Sequence, residues 1–127
     1  MSNLVKILIA EDNKTLTLFM KNRLEKEGYQ LLVAEDGKKA KKLILEFKPD
    51  LLITDIMMPY VSGLELISYL RNELKSKIPI IVFSSVGHEK MILQAFEFGA
   101  NEFINKPFNP NELVIRVKKC LINYTPG

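Results

Sequence analysis

The sequence predicts an α/β fold in three layers, with a parallel five-stranded sheet that is covered by helices on both faces. Short runs of Val, Ile and Leu alternate along the chain with longer segments whose apolar residues have helical spacing. The clearest runs are continuously apolar, as is typical of strands buried on both sides. The connections are short, so each strand leads to a helix and a right-handed crossover returns the chain to the sheet.

Five short runs are the predicted strands. They lie at residues 5–10, 31–34, 51–54, 80–83 and 103–105. The first, third and fourth runs are almost wholly apolar, which predicts central strands. The second and fifth contain more polar residues, which favours positions nearer the edges of the sheet.

Five segments are the predicted helices. Gly28 follows the first, Pro49 stops the second, the fourth spans Glu89–Phe98 before Gly99, and the fifth begins at Pro110. Apolar residues at helical spacing predict the core-facing stripes of four helices. These are Leu16, Phe19, Met20 and Leu24; Ala40, Leu43, Ile44 and Phe47; Leu66, Ile67, Leu70 and Leu74; and Leu113, Val114, Val117, Cys120 and Leu121.

Length and composition indicate one globular domain. The chain has 127 residues, of which 47% are hydrophobic and 26% charged, and no apolar run approaches the roughly 18 residues of a membrane span. A strand-like run starts at Val5 and leaves no room for a signal peptide. Cys120 is the only cysteine, which fits a reducing cytoplasm. We therefore expect a cytoplasmic domain over residues 1–122, with 123–127 as a tail or the start of a linker.

The basic residues form one conspicuous group. The net charge is only +3, but four lysines crowd into the second predicted helix, at Lys38, Lys39, Lys41 and Lys42. Such a group can indicate nucleic-acid binding. Apolar residues run through the same segment at core-facing spacing, so we interpret the lysines as a solvated helix face. We expect no nucleic-acid or membrane binding by this domain.

Polar side chains follow four of the predicted strands. Glu11 and Asp12 follow the first, Asp55 the third, Ser84 the fourth and Lys106 the fifth. Parallel sheets bind ligands outside the carboxyl ends of their strands. If these strands are neighbours, the sequence predicts that the five side chains share one edge of the sheet.

These residue types are suited to phosphoryl transfer. Three clustered carboxylates repel one another unless a hard cation such as Mg²⁺ neutralises them. Lys106 supplies a point charge and Ser84 a hydroxyl donor for phosphate oxygens. Each residue taken singly has a structural explanation as a helix cap or turn residue. Their placement after four strands favours a phosphoryl-transfer site.

Together these motifs resemble the receiver domain of bacterial two-component response regulators, from Leu4 to about Leu121. The matching stretches are residues 7–13, 50–59 with Gly63, 79–85 and 99–108. The resemblance implies a flavodoxin-like (βα)5 three-layer sandwich with strand order 2-1-3-4-5.

The resemblance also implies functional roles. Asp55 would accept a phosphoryl group from a phosphohistidine of a sensor histidine kinase. Glu11, Asp12 and Asp55 would hold Mg²⁺, with the backbone carbonyl of Met57 as a further ligand. The protein would catalyse its own phosphorylation and slow dephosphorylation, without turnover of an external substrate.

Further implied roles concern the response to phosphorylation. Lys106 would pair with the phosphoryl oxygens, while Ser84 and Phe103 would be the switch residues. The output surface would comprise the fourth helix, fifth strand and fifth helix, which contact an output domain or partner protein and offer a possible homodimer interface. The kinase, the stimulus and the oligomeric state stay open.

Three departures from the family pattern bear on these roles. Glu11 occupies a position where Asp is also common, so we expect it to bind the ion either directly or through water. Phe103 lacks the hydroxyl of a Tyr, and Ser85 follows Ser84 where a smaller residue is frequent.

Met57 and Val86 flank the expected path of an attacking water, and neither can orient it, which predicts slow dephosphorylation.

Two alternatives belong to other functional classes. A receiver-like binding module that is not phosphorylated would usually lack part of the acidic cluster or Lys106. An aspartyl phosphatase would carry a second Asp two residues after Asp55, where this chain has Met57. The intact cluster therefore favours a phosphorylated receiver over the binding module, which remains the alternative.

Overall fold

A computed structural model describes residues 4–85 and 89–124 of the chain. Val86, one of the two residues expected to flank the path of water, lies outside them. The strands are β1 (Lys6–Ala10), β2 (Gln30–Ala34), β3 (Leu51–Asp55), β4 (Ile80–Ser84) and β5 (Glu102–Asn105). The helices are α1 (Lys14–Glu25), α2 (Gly37–Phe47), α3 (Gly63–Ser68), α4 (Glu89–Phe98) and α5 (Pro110–Ile122).

The strands form one parallel sheet in the order β2-β1-β3-β4-β5. This order confirms the predicted topology, and it confirms that the two more polar strands, β2 and β5, lie at the edges. Every residue of β3 and β4 is buried, as their apolar composition predicts for central strands.

The sheet separates two hydrophobic cores. On one face, Ile7 and Ile9 of β1 pack in a cluster with Met20 of α1 and Val117 of α5. On the other face, alternate residues of the same strand pack in a cluster with α2, α3 and α4. Successive side chains of a strand point to opposite faces, so β1 contributes to both cores. The three-layer arrangement is thereby confirmed.

Two residues of the predicted helix stripes are exposed. Phe19 is 45% exposed, because α1 buries a narrow stripe in which Thr17, Met20 and Leu24 face the sheet. Leu74 is 37% exposed. It follows a π-helical turn, Tyr69–Glu73, that directly continues α3. A π turn contains more residues than an α turn, so it rotates Leu74 away from the stripe.

Two strands extend one residue further at their carboxyl ends than predicted. β3 includes Asp55 and β4 includes Ser84, because the ladder continues to the edge of the sheet. The amide of Ile56 donates to the carbonyl of Phe83 at 3.3 Å. The amide of Lys106 donates to the carbonyl of Ser84 at 2.8 Å. Strand pairing thus fixes the backbone beside both predicted site residues.

None of the helices that the structure describes combines the length and the apolar character needed to cross a bilayer.

Candidate functional site

The carboxyl edge of the sheet brings the predicted acidic residues together. Glu11 directly follows β1, and Asp55 ends the neighbouring β3, at the point where the strand order reverses. Glu11 is 2% and Asp55 7% exposed, whereas Asp12 is exposed. One oxygen of each of the three carboxylates lies within 4.8 Å of the others. The sequence prediction that these carboxylates cluster is confirmed.

Lys106 joins this cluster from the loop after β5. Its Nζ donates to Oε1 of Glu11 and to Oδ2 of Asp55, both at 2.9 Å. Burial alone would lower the pKa of Lys106, but the hydrogen bonds to these two carboxylates outweigh it and raise that pKa above its usual value. One ammonium therefore bridges and partly neutralises the two buried carboxylates.

Backbone amides hold the remaining oxygens of the buried carboxylates. The amide of Asn13 donates to Oε2 of Glu11 at 2.9 Å, and the amide of Met57 donates to Oδ1 of Asp55 at 3.1 Å. The side chain of Asn13 also caps α1 by accepting from the amide of Leu16. The start of α1 and the β3–α3 loop thus orient the two carboxylates.

Gly63 allows the β3–α3 loop to close against the end of β3. Its amide donates to the carbonyl of Ile56 at 2.8 Å. A Cβ at this position would collide with the backbone carbonyl of Asp55. Only glycine permits this approach, so Gly63 supports the backbone that carries the Asp55 side chain.

The cluster retains more negative charge than Lys106 compensates. The pKa of Asp12 is raised, first by a hydrogen bond with Glu11, then by partial burial and by the charge of Glu11. Three carboxylate groups facing one another are the donor set that a hard divalent cation prefers. The residues present therefore fit a Mg²⁺ ion, the cofactor expected from the sequence.

The two predicted switch residues lie on neighbouring strands. Ser84 ends β4 and is 1% exposed, and its Oγ donates to the carbonyl of Ser85 at 3.4 Å. Phe103 of β5 pairs in register with Val82, so it shares a face of the sheet with Val82 and Ser84. Phe103 is half-buried against the core on the side of α2, α3 and α4.

One residue at the site was predicted only as part of a strand. The ring of Phe83 lies beneath the Nζ of Lys106, 4.9 Å from its centroid. The available signal was an aromatic residue directly before Ser84 in the sequence. It could not be interpreted without the β4–β5 pairing that places Lys106 above the ring.

Comparisons with known proteins identify the family of the chain. The family model of the response regulator receiver domain matches residues 7–118. The phosphate regulon transcriptional regulatory protein PhoB of Pseudomonas aeruginosa is 42% identical over 122 residues, which are 95% of this chain and 53% of PhoB. The histidine kinase P4 of Formosa agariphila is 42% identical over 118 residues, which are 92% of this chain and 8% of the kinase.

A solved structure agrees as well. The receiver domain of the Francisella response regulator 1452 superposes with a TM-score of 0.83 at 34% identity, covering 91% of this chain and 95% of that one. The chain spans about half the length of PhoB and less than a tenth of the kinase. The family model, the relatives and the fold show that the chain belongs to the response regulator receiver domains of two-component systems.

Proposed function

We propose that Asp55 accepts a phosphoryl group from the phosphohistidine of a sensor histidine kinase, in a reaction that requires Mg²⁺. The observation that carries this proposal is the contact of Lys106 with both Glu11 and Asp55 at 2.9 Å. An oxygen of Asp55 bonds to phosphorus as the bond from phosphorus to the histidine nitrogen breaks. Catalysis of this kind depends on positioning and on neutralising charge, which the cluster around Asp55 supplies.

The proposed Mg²⁺ ligands are Glu11, Asp12, Asp55 and the backbone carbonyl of Met57. When bound, the ion supplies positive charge that offsets the carboxylates and the oxygens of the transferring group. Asp12 is the exposed member of the set and is the best candidate for direct contact. Both oxygens of Glu11 and both oxygens of Asp55 already accept hydrogen bonds, so an ion that contacts either carboxylate would share an oxygen with one of these donors.

Ser84 and Phe103 are proposed to convert phosphorylation into a change of surface. Reversing a two-state equilibrium fully needs about 5.5 kcal/mol. A hydrogen bond from Ser84 to a charged phosphoryl oxygen contributes about 1.5–3 kcal/mol. Phe103 is already partly buried, so covering the rest of it contributes only part of the about 1.5–3 kcal/mol that a fully exposed side chain would gain. These two contributions supply a large share of the difference, and the pairing of Lys106 with the phosphoryl oxygens would supply the rest.

The proposed output surface comprises α4, β5 and α5. Five large apolar side chains are exposed on its helices, namely Leu93, Phe96 and Phe98 of α4 and Ile115 and Ile122 of α5. Exposed apolar groups of this size are suited to contact with another protein. This surface would bind an output domain, a partner protein or a second copy of the chain. We also propose that residues 1–122 form the receiver unit, with 123–127 leading into a tail or linker.

The lysines of α2 support the proposal that this domain itself does not bind nucleic acid. Lys39 pairs with Glu35 at 3.6 Å, and Lys41 lies over the ring of Tyr69 at 5.0 Å from its centroid. Two of the four lysines thus have intramolecular partners. We propose a cytoplasmic protein that phosphorylates itself from a donor, is slow to lose the group and turns over no external substrate.

Acetyl phosphate with Mg²⁺, followed by intact-mass measurement, tests the phosphoacceptor. We expect one phosphoryl adduct on the parent protein, none on Asp55→Ala and none after chelation of Mg²⁺. Glu46→Ala removes an exposed carboxylate of α2 and is the control that should still form the adduct. No adduct on the parent, or an equal adduct on Asp55→Ala, would refute the proposal and favour a binding module that is not phosphorylated.

A further inference from the structure

Phe83 lies directly under the amine that the proposed chemistry requires. Its side chain is 1% exposed, and its ring centroid is 4.9 Å from the Nζ of Lys106. The same Nζ donates to Glu11 and Asp55. The ammonium therefore lies between two carboxylates and the face of a buried aromatic ring.

A second aromatic residue fixes the tilt of this ring. Phe108, two residues after Lys106, meets Phe83 edge to face, with centroids 6.0 Å apart and an interplanar angle of 75°. This arrangement is favourable because the positive edge of one ring meets the negative face of another. Phe83 is thus held by the segment of chain that also carries Lys106.

The contact with the ring has a specific energetic consequence. An ammonium has three N–H donors, and two of those on Lys106 are used by the carboxylates. The attraction between a ring face and a cation raises the equilibrium constant for forming their contact. The increase is about twofold at exposed sites and roughly thirtyfold where water is excluded. An aliphatic residue at position 83 would exclude water from the ammonium without attracting it.

We propose that Phe83 is a positioning residue for Lys106 that holds the ammonium over the phosphoacceptor through its ring face. The inference rests on the proposed function, because it assigns Phe83 a part in phosphorylation of Asp55. During transfer, Lys106 must exchange an oxygen of Asp55 for one of the incoming phosphoryl group, so its anionic partners change. The ring is a partner that stays the same before and after transfer.

A double-mutant cycle measures the contact without any phosphorylation. The four proteins are the parent, Phe83→Leu, Lys106→Met and the double variant, each unfolded in urea. We expect Phe83→Leu to lower the folding equilibrium constant by at least about threefold more in the parent than in the Lys106→Met protein. Equal losses in both backgrounds would mean that Phe83 only fills the core, and would overturn the proposal.

Phosphorylation by acetyl phosphate gives the second readout. We expect Phe83→Leu to slow adduct formation on Asp55 by about three- to tenfold. Phe47→Leu is the matched control, since it removes a ring that lies under the Nζ of Lys6 and has no part in the cluster around Asp55. Its rate should stay within about twofold of the parent rate. Equal slowing by the two variants would contradict the proposal.

The remaining outcomes distinguish a wrong role for Phe83 from a wrong proposed function. If Phe83→Leu fails to fold, Phe83→Met is used in its place in both experiments. Methionine also lacks a ring, and its longer side chain fills more of the space that Phe83 occupies. If the parent is phosphorylated while Phe83→Leu matches its rate and the cycle is additive, the role of Phe83 alone is wrong. If the parent forms no adduct, the proposed function fails, and the cycle still decides whether Phe83 holds the ammonium.

Discussion

Each oxygen of the two buried carboxylates at the site accepts a hydrogen bond. Glu11 accepts from Lys106 and the amide of Asn13, and Asp55 accepts from Lys106 and the amide of Met57. Buried charges are tolerated when they are paired and hydrogen-bonded in this way. Asp12 differs because it is exposed and its pKa is raised next to Glu11. The excess negative charge is therefore concentrated at the mouth of the site.

Replacement of Asp12 by Asn should abolish the stabilising effect of Mg²⁺. For the parent, MgCl₂ at about 100 times its dissociation constant should add about 2.7 kcal/mol to the free energy of unfolding. The introduced amide side chain cannot supply the carboxylate, so thermal unfolding of Asp12→Asn should respond little to the salt. Glu46→Gln is the control that should keep the response. A full response of Asp12→Asn would exclude Asp12 as a ligand.

The same variant should change the pH dependence of the ion-free protein. Because the pKa of Asp12 is raised in the folded state, folding holds its proton more tightly than the unfolded chain does. Stability of the parent should therefore decline as pH rises from the unfolded pKa through the raised folded pKa. In Asp12→Asn, urea unfolding at a series of pH values should lack this component. Identical profiles for the two proteins would contradict the assignment.

Replacement of Met57 by Asn should accelerate loss of the phosphoryl group. The Met57 side chain is exposed beside Asp55 and offers no strong hydrogen-bond partner to a water. An amide there can orient the attacking water, and one hydrogen bond of about 0.5–1.5 kcal/mol corresponds to a rate increase of up to roughly tenfold. Decay of the adduct by intact mass is the measurement. Met57→Leu should lose the adduct at the rate of the parent. Equal rates of loss for all three proteins would show that the side chain at position 57 does not orient the attacking water.

At the scale of elements, Arg71 links the end of α4 to the end of α3. Arg71 lies in the π turn, and its Nε and Nη2 donate to the carbonyl of Gly99 at 3.2 and 2.9 Å. Its Nη2 also donates to Oδ1 of Asn101 at 3.0 Å, which accepts from the amide of Ile80 as well. The carboxyl end of α4 is therefore anchored beside the start of β4, at the edge of the sheet opposite the site.

This anchor should make Gly99 far less tolerant of a side chain than Gly28. Both glycines have positive φ, +119° for Gly99 and +92° for Gly28. A Cβ at Gly99 would lie 2.8 Å from Nε of Arg71, whereas one at Gly28 meets nothing within 4 Å. Gly28→Ala should lose about 1–2 kcal/mol from backbone strain, and Gly99→Ala roughly 1–3 kcal/mol more from overpacking. Urea unfolding compares them, and equal losses would show that Arg71 moves away freely.

At the scale of the whole molecule, the sheet lies between two cores that involve different helices. Cys120 of α5 belongs to the core that α1 and α5 share, as its place in the helical stripe predicts. It is 7% exposed, and burial raises the pKa of its thiol to about 11. A thiolate is the reactive form, so the folded protein should protect Cys120 from thiol reagents.

Labelling of Cys120 should therefore report on opening of the molecule. With a chromogenic disulfide reagent under mildly alkaline conditions, we expect negligible reaction in buffer and complete reaction in denaturing urea. The labelling midpoint in urea should match the midpoint measured by circular dichroism, because this core closes only when the domain folds. Fast labelling in buffer would show that α5 opens locally or that Cys120 is accessible in the native state.

Local patterns in the sequence determined the elements, their order along the chain and the residues gathered at the site. Apolar runs such as that of β4 and helix stripes such as that of α5 are properties of neighbouring residues, so they can be recognised without a structure. The carboxyl-edge rule for parallel sheets then placed Glu11, Asp55 and Lys106 together. The roles of these residues came from the family resemblance and stay proposals for experiment.

Tertiary structure alone decided how those residues meet. It buried Glu11 but exposed Asp12, shared one ammonium between two carboxylates, and put the ring of Phe83 beneath it. It also exposed Phe19, and a π turn removed Leu74 from the stripe that its spacing predicted. These features depend on strand register and on packing between residues distant in the chain. No local periodicity encodes those distances, whereas it does encode which face of a strand or helix is apolar.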